Sequence, residues 1–569
     1  MIIIGINGDT AHAPKRGSHD SGAALLVDGE IVAAANEERF SRIKQDDRYP
    51  FAAIAHVLAG SAKPELASLS WLSPRQQKPM LDRLFAHLYE ESVNHPPLRR
   101  LYWKQQHSRW GRLLRCPKRT LPSELSGLNK EIHEHHLAHA ASAYYCSPYE
   151  NERTLVLTLD GQGDFAAGSL WLGEKGKLTP IEHYDALNSI GHLYAAFTGH
   201  LGFTPNRHEG KIVGLAAHGN PDLLCQRLLA HTRLGSWDRL FDAELILLTI
   251  RHWSEEGKAI LARLTTGLSR EDVAAGIQSF TEVVVTHLVA EKCRQHNCHL
   301  VAAAGGVFAN VKMNQRIMEL PEVENLYIHP NMGDGGLAAG AALASFAAAR
   351  GGMTPKLLST CYLGPDISDS DAAAAFAAVG LVAEKPENLA AAAADLLAAG
   401  KVVARAAGKM EYGPRALGNR TLFAACSDPA INKWLNDRLQ RTEFMPFAPI
   451  VMEEYAAAYF PAWKPEHIAA RFMTVTYDAS HLAKEHIPAA IHIDGTARPQ
   501  VLRREDNPEV YAILEAFHAR TGVAALINTS FNMHEEPIVC SASDAVRAWQ
   551  LGHLDALICG NLLCTGEKA

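Results

Sequence analysis

Two stretches of the chain repeat one pattern of apolar and polar positions. From Ile2, I-I-I-G-I-N-G-D runs from an apolar strand into a polar glycine turn. It is followed by S-G-A-A-L-L-V-D-G-E-I-V-A-A-A, which predicts two strands joined at Asp28-Gly29, a dipeptide suited to a two-residue hairpin. From Thr154 the pattern returns: T-L-V-L-T-L-D-G-Q-G-D, then A-A-G-S-L-W-L and, past G-E-K-G-K, L-T-P-I-E-H-Y. A strand, an acidic glycine turn and a hairpin, twice over, predict a duplicated α/β domain with a nucleotide cleft between its halves. Glycines let backbone N–H groups approach phosphate oxygens, and carboxylates hold the accompanying cation.

The apolar spacing of T-E-V-V-V-T-H-L-V-A-E-K predicts an amphipathic helix, and H-L-V-A-A-A-G-G-V-F-A-N a strand entering a glycine turn. That turn puts Gly305, Gly306 and Asn310 at the start of the next helix, a place suited to phosphate or ribose. The Ala- and Gly-rich stretch 335–352 is too weakly hydrophobic for a membrane span and predicts a buried helix lying close on a sheet. R-G-G-M-T-P-K and Y-L-G-P-D then break the pattern, so one domain is expected over 1–352 and a second α/β domain over 361–569. In the second, an Ala-rich helix and the strand K-V-V-A-R-A precede G-K-M-E-Y-G-P-R-A-L-G-N-R, a loop carrying Arg415 and Arg420. Arginine forks suit carboxylate, carbamate or phosphate oxygens. Arg438, Arg441, Arg498 and the run N-T-S-F-N-M-H with Asn528, Ser530, Asn532 and His534 add donors at strand ends, an anion-binding cleft fit for a small phosphorylated donor.

Composition narrows the class. With 569 residues, 47% hydrophobic and 21% charged, the chain is expected to be globular with more than one core. A net charge of -7 offers no overall field to a polyphosphate backbone, which argues against a nucleic-acid partner. Ten cysteines without a C-x-x-C pair suit free thiols in a reducing cytoplasm, and Cys293 and Cys298 are expected where a helix ends and a strand begins. No membrane insertion is expected, the apolar N-terminus reads as a strand without a leader, and a homodimer is compatible with the composition.

The most specific chemistry lies in H-E-H-H-L-A-H. His135 and His139 are four apart, so on a helix both imidazoles share one face. Asp160, in L-T-L-D-G-Q-G-D, and Asp334, in H-P-N-M-G-D-G-G, are carboxylates at strand or loop ends able to close the same site. Two imidazoles with two carboxylates suit Fe(II), Mn or Zn, and the lack of a cysteine argues against a closed structural zinc.

E-H-H-L-A-H-A-A-S-A-Y-Y, H-E-G-K-I-V-G-L-A-A-H-G, G-P-R-A-L-G-N-R and N-T-S-F-N-M-H-E-E-P-I-V, in this order, resemble the NodU/CmcH-type O-carbamoyltransferases over almost the whole chain. The resemblance implies an actin-like (ASKHA) domain joined to a YrdC-like domain. It also implies two linked reactions: carbamoyl phosphate and ATP with Mg2+ give carbamoyladenylate, pyrophosphate and phosphate, and an acceptor hydroxyl then takes the carbamoyl group. His135, His139, Asp160 and Asp334 match the family's metal ligands, with iron the expected ion. His19, in G-S-H-D-S-G, is the candidate general base, or else orders the first turn. Lys44 and Lys211 are candidates for anchoring acceptor or phosphate charge, or else structural. The chain departs from some antibiotic-modifying relatives at Met445 and His534, where they carry arginine, which leaves the donor-phosphate contacts to Arg438, Arg441 or His534.

From Arg99 to Arg119 eight Lys or Arg residues, no acid, and Tyr102, Trp103 and Trp110 are interleaved. The stretch reads as a solvated helix, or as a surface that stacks on a sugar ring. Two other functions fit the fold: a tRNA threonylcarbamoyl-type enzyme, and a non-catalytic ATP-binding regulator. The acceptor, a hydroxyl on a small molecule or glycan, is not named by any motif.

Overall fold

The β-branched run Ile2–Asn7 (β1) is buried on both faces at the centre of a five-stranded sheet. Its partners are Gly22–Val27 (β2), Glu30–Asn36 (β3), Leu66–Leu69 (β4) and Asn129–Ile132 (β5), in the order β3-β2-β1-β4-β5. A second sheet holds Thr154–Gly163 (β6), Ala166–Glu174 (β7), Lys177–Asp185 (β8), Leu300–Ala304 (β9) and Asn325–Ile328 (β10), in the order β10-β9-β6-β7-β8. The two orders are one topology, with β6 to β10 taking the places of β1 to β5. In each, the first strand runs antiparallel to the second and parallel to the fourth. The hairpins repeat as well: Asp28 and Gly29 have φ of 48° and 90°, and Lys175 and Gly176 have 51° and 74°, the positive pair that a two-residue turn between twisted strands requires. This computed structural model describes residues 1–8, 19–114, 121–440 and 447–565.

Small residues bring the elements of the first unit into backbone contact. A Cβ on Gly340 would lie 1.9 Å from the Ala138 carbonyl oxygen, and one on Gly5 1.8 Å from that of Ala338. The helix Leu337–Arg350 therefore lies directly on β1 and on the helix His135–Tyr145, as its composition predicts. Arg270–His296, capped by Ser269 and Asp272 at its start and by left-handed Asn297 at its end, buries Ile277, Phe280, Val284 and Leu288 in the main core. Among the described residues it is the one helix long and apolar enough to cross a membrane, and 67% of that stretch is buried. Cys293 and Cys298 flank its end as expected, and all nine described cysteines are buried and free.

The second unit is built on a mixed seven-stranded sheet. Its strands are Val403–Ala406 (β11), Arg420–Ala424 (β12), Ala448–Met452 (β13), Gln500–Leu502 (β16), Ala525–Ser530 (β17), Ala556–Cys559 (β18) and Leu562–Cys564 (β19), ordered β16-β13-β17-β12-β11-β18-β19. Tyr477–Asp478 (β14) and Thr496–Ala497 (β15) pair separately. The helices Leu389–Ala398 and Pro508–Thr521 cover one face over Val403, Phe423, Ile450 and Leu526. The division differs from two consecutive segments: the first unit is 1–32 with 47–358, and the second is 33–46 with 359–569. Residues 33–46 join the later unit because their contacts are there. Ala34 N–H donates to the Leu363 carbonyl, and Phe40 packs on Met410, Ala416, Ile538 and Cys540. The helix Pro96–Leu114 carries the described part of the basic aromatic stretch, with Arg99 over the Tyr89 ring at 5.8 Å and Tyr102 against Tyr89 and Trp103.

Candidate active site

The helix His135–Tyr145 starts at Glu134, whose carboxylate accepts the His136 and Leu137 N–H groups at 2.9 and 2.7 Å. That cap fixes the first turn, and the four-residue spacing then sets the His135 and His139 rings 4.7 Å apart. Asp160 lies within β6, where the ladder is irregular between Leu159 and Gly163, and Asp334 starts the turn into the Leu337–Arg350 helix. Because that helix rests on the histidine helix, all four side chains meet. One ligand atom from each lies within 4.8 Å of all the others, and all four are buried. Asp160 Oδ2 is 3.1 Å from His139 Nε2 and 3.5 Å from His135 Nε2, and Asp334 Oδ1 is 3.5 and 3.7 Å from the same atoms. Donors sharing one cation at about 2.1 Å stand about 3.0–3.4 Å apart in octahedral or tetrahedral geometry, so this set fits a divalent ion. The buried His135 ring supports the fit, since neither of its nitrogens has a hydrogen-bond partner among the described residues. Gly163 leaves the room: a Cβ there would fall 2.0 Å from that ring.

The neighbouring His136 is not part of the set. Its nitrogens bond Thr158 Oγ1 at 2.9 Å and the Ala166 carbonyl at 3.1 Å, and burial, with His135 and His139 nearby, drives its pKa well below the usual imidazole value. Other polar groups hold the ligands. Asp164 accepts the His135 N–H at 2.8 Å and Gln77 Nε2 at 2.6 Å. Fully buried Asn7, at the end of β1, donates to the Asp334 and Asp20 carbonyls at 2.9 and 3.2 Å and accepts from Ser70 and Trp71, each at 2.9 Å. The Trp71 ring stands edge-on to His135 at 4.4 Å. Gly305, at φ 108°, lies against the Leu159 carbonyl, and a Cβ on Gly306 would meet Asp160 Oδ1 at 3.0 Å, so both glycines border the site.

His19 belongs to the same field. Burial opposes its charge, but the Asp334 carboxylate, the 2.8 Å bond to Asp20 and the Asp160 carboxylate hold its pKa up at about 10. At that value it is a proton donor at neutral pH. A divalent cation held among the carboxylates would cancel much of their pull and bring it toward the range of a base. His139 behaves alike: burial opposes charge, yet Asp160 and Asp334 raise it to about 9. Asp160 is pushed well below the carboxylate range, the opposition of burial being outweighed by the two histidines.

A proton on His139 competes with the cation, so cation affinity is expected to rise about tenfold per pH unit toward pH 9 and then level off. The sign for stability is the reverse. The folded pKa of His139 exceeds its unfolded value near 6.5, so its contribution to the cation-free fold is complete below 6.5 and is lost as pH rises through about 9. Calorimetric titration in two buffers, with melting of the cation-free protein over the same range, reads both. An affinity flat from pH 6 to 9 would contradict the assignment.

In the second unit the loop after Gly413 is caged from several sides. Glu411 Oε1 accepts the N–H groups of Leu417, Asn419 and Arg420 at 2.7, 2.8 and 3.1 Å. The Leu417 carbonyl takes the Tyr362 hydroxyl at 2.8 Å and Gln500 Nε2 at 3.0 Å, and Arg405 bonds the Gly418 carbonyl and Asn419 Oδ1. Arg415 projects from this fixed loop as a half-buried side chain, and burial pulls its guanidinium down to about 10. Arg498 sits between β15 and β16, next to Gln500, which also accepts Asn528 Nδ2 at 2.6 Å. The motif segments around Ala416, Arg498 and Asn528 are thus brought together.

Several expected ligands have other work. Arg420 is fully buried and its terminal nitrogens donate to the carbonyls of Gly408, Asn419, Pro365 and Ala407 at 2.9 to 3.2 Å, so it ties loops rather than offering a fork to phosphate. Asn528 spends its amide on Ala416, Gln500 and Thr421. Asn310 caps the helix Val311–Met318 and is joined to Gln278 through both amide atoms, so the ribose or phosphate contact expected of it has no free group. Ser530 Oγ donates to Asn532, and His534 Nε2 stands 3.7 Å from Glu535. Lys211 is buried on the helix Glu209–Ala216 of the first unit. Lys44 falls in the 33–46 segment and therefore in the second unit. Arg441 and Met445 lie outside the described residues. Asn7, Asp164 and Glu411 lie inside the motifs quoted above without standing out there as site residues, and Trp71 and Gln500 lie in none of them; for Glu411 the signal is an acid placed just before a glycine-rich loop with many N–H groups.

A family model described as the carbamoyltransferase N-terminus matches residues 100–343, and one for the carbamoyltransferase C-terminus matches 394–565. An uncharacterized protein of Methanocaldococcus jannaschii is 35% identical over 95% of this chain and 92% of its own length. The nodulation protein NolNO of Sinorhizobium fredii is 30% identical over 100% of this chain and 83% of its own. Among solved structures, the activator of the 2-hydroxyisocaproyl-CoA dehydratase from Clostridium difficile, with bound ADPNP, aligns over 62% of this chain and 96% of its own at 15% identity, with a TM-score of 0.32.

Proposed function

The chain belongs to the carbamoyltransferase family and is an enzyme of that class, and we propose that it is an O-carbamoyltransferase working in two steps on two units. The first unit is read as actin-like (ASKHA) and the second as YrdC-like. In the second, water releases phosphate from carbamoyl phosphate. The resulting carbamate then attacks the α-phosphate of ATP, held with Mg2+, to give carbamoyladenylate and pyrophosphate. In the first, a hydroxyl oxygen of a small-molecule or glycan acceptor bonds to the carbamoyl carbon, the bond to AMP breaks, and the hydroxyl proton passes to His19.

The observation that carries this reading is the buried convergence of His135, His139, Asp160 and Asp334. These four would hold Fe(II) or another divalent cation, which supplies Lewis-acid polarisation of the carbamoyl carbonyl and a fixed orientation for the anhydride. Gly305 and Gly306 border the site without side chains and leave backbone for an incoming phosphate to approach. His19, held by Asp20, accepts the proton once the carboxylates beside it are neutralised. In the second unit Arg415 is the half-buried cation on a rigid loop, placed to pair with an anion, and Arg498 and His534 are the further donors. The acidic balance of the chain favours a small acceptor over tRNA.

Incubation with carbamoyl phosphate, ATP, Mg2+ and Fe2+ or Mn2+, over a panel of hydroxylated acceptors, is expected to give a product heavier by one carbamoyl group. Without acceptor, exchange of labelled pyrophosphate into ATP is expected only when carbamoyl phosphate is present. ATP binding with no such exchange and no transfer would leave a regulator built on the same fold.

A further inference from the structure

We infer that the segment 33–46, which the chain carries far from the rest of the second unit, is a working part of that unit, with Arg39 and Arg42 as positioning residues for its two donor loops. The inference rests on the proposed function for the identity of the ligand those loops bind. It rests on contacts for the rest.

Arg39 is buried, and its Nη2 donates to the Gly413 carbonyl at 2.8 Å, two residues before Arg415. Arg42 forks onto two successive carbonyls, Nη1 to Ile538 and Nη2 to Pro537, each at 2.7 Å, a few residues after His534, while its Nε lies 3.5 Å from Asp544. Between them Phe40 packs on Met410, Ala416, Ile538 and Cys540, which come from both loops. The short helix Glu38–Ser41 and its C-cap Arg42 thus present one side chain to each loop and one to the seam joining them. Arg42 also sits in the left-handed region, at φ 60° and ψ 20°. An L side chain adopts that conformation only against a steric cost, and here the fork to Pro537 and Ile538 offsets it. Arg39 and Glu37 are both buried. The terminal nitrogens that these arginines turn to the loops are committed to the Gly413, Ile538 and Pro537 carbonyls, so they hold the loops rather than a donor. Their effect passes through the placement of Arg415 and His534.

The test uses the full-length, cation-loaded protein and three substitutions: Arg42→Gly, Arg42→Lys and Arg39→Gln. Glycine takes the left-handed conformation without cost, so Arg42→Gly removes the fork while relieving the strain. The readouts are KM for carbamoyl phosphate in pyrophosphate exchange, the affinity of the first unit for Mn2+ by calorimetry, and the melting temperature. Arg42→Gly and Arg39→Gln are each expected to raise KM by at least about tenfold with Mn2+ affinity unchanged. Arg42→Lys, able to serve one carbonyl but not both, is expected to fall between. A lowered melting temperature with KM unchanged in all three would overturn the inference, leaving the arginines as plain fasteners. Absence of exchange in the unsubstituted protein would overturn the proposed function and this inference together, which separates the two failures.

Discussion

His139→Ala is expected to lower carbamoyl transfer to the acceptor by at least about 10³-fold while carbamoyl-phosphate-dependent pyrophosphate exchange continues. The change removes the imidazole closest to Asp160, at 3.1 Å, from a fully buried position. The remaining donors are His135, Asp160 and Asp334, two of them carboxylates facing each other with one neighbouring cationic group fewer. A site that holds a divalent ion with two imidazoles and two carboxylates thereby loses one of its four ligands. The loss of the first-unit cation should therefore be visible directly, as calorimetric binding weakened by about 10²-fold or more. The exchange reaction is the control for folding, because Arg415, Glu411 and their neighbours belong to the other unit. Transfer and cation affinity both equal to those of the unsubstituted protein would remove the four-residue site from the mechanism.

What sequence reveals about this site depends on whether a residue acts through its own repeat or through someone else's backbone. His135 and His139 are legible because helical periodicity converts a spacing of four directly into proximity. Asp160 follows because β6 repeats the β1 pattern, and the two sheets do share one order. Asp334 is legible as an acid in a glycine turn, but its meeting with the histidines depends on Gly340 letting two helices touch at Ala138, a contact that no local pattern reports. Arginines are the least legible residues. A guanidinium satisfies backbone carbonyls as readily as it binds phosphate, so Arg405 and Arg420, on the strands that flank the loop and bonded into it, look the same in the sequence as Arg415. The membership of 33–46 in the second unit is hidden for a related reason, since the apolar run I-V-A-A-A of β3 continues without a break where the contacts change, between Val32 and Ala33. Asn7 shows the limit most plainly: a single amide, satisfied four times, joins β1, the His19 turn, Trp71 and Asp334.

Glu411→Ala is expected to abolish pyrophosphate exchange, by at least about 10²-fold, with the first unit still binding its cation. Glu411 is buried, and one of its oxygens receives three N–H groups from the loop that carries Arg415. Alanine leaves all three N–H groups in a dry place. Each orphaned donor costs about 1–3 kcal/mol, so the loop loses at least about 3 kcal/mol, a sizeable part of the roughly 5–15 kcal/mol that holds a whole domain together. The loop is expected to reach water by local opening rather than to stay caged, which takes Arg415 out of place while β11 and β12 keep their pairing. Hydrogen exchange should report it as lost protection confined to the amides of 413–420. Glu411→Gln is the informative companion. Its amide oxygen still accepts at the Oε1 position but without the full charge, so exchange should persist with KM for carbamoyl phosphate raised by about tenfold. Full activity in the alanine variant would mean that Tyr362, Gln500 and Arg405 hold the loop without the carboxylate, and that its three short N–H contacts add nothing to donor activation.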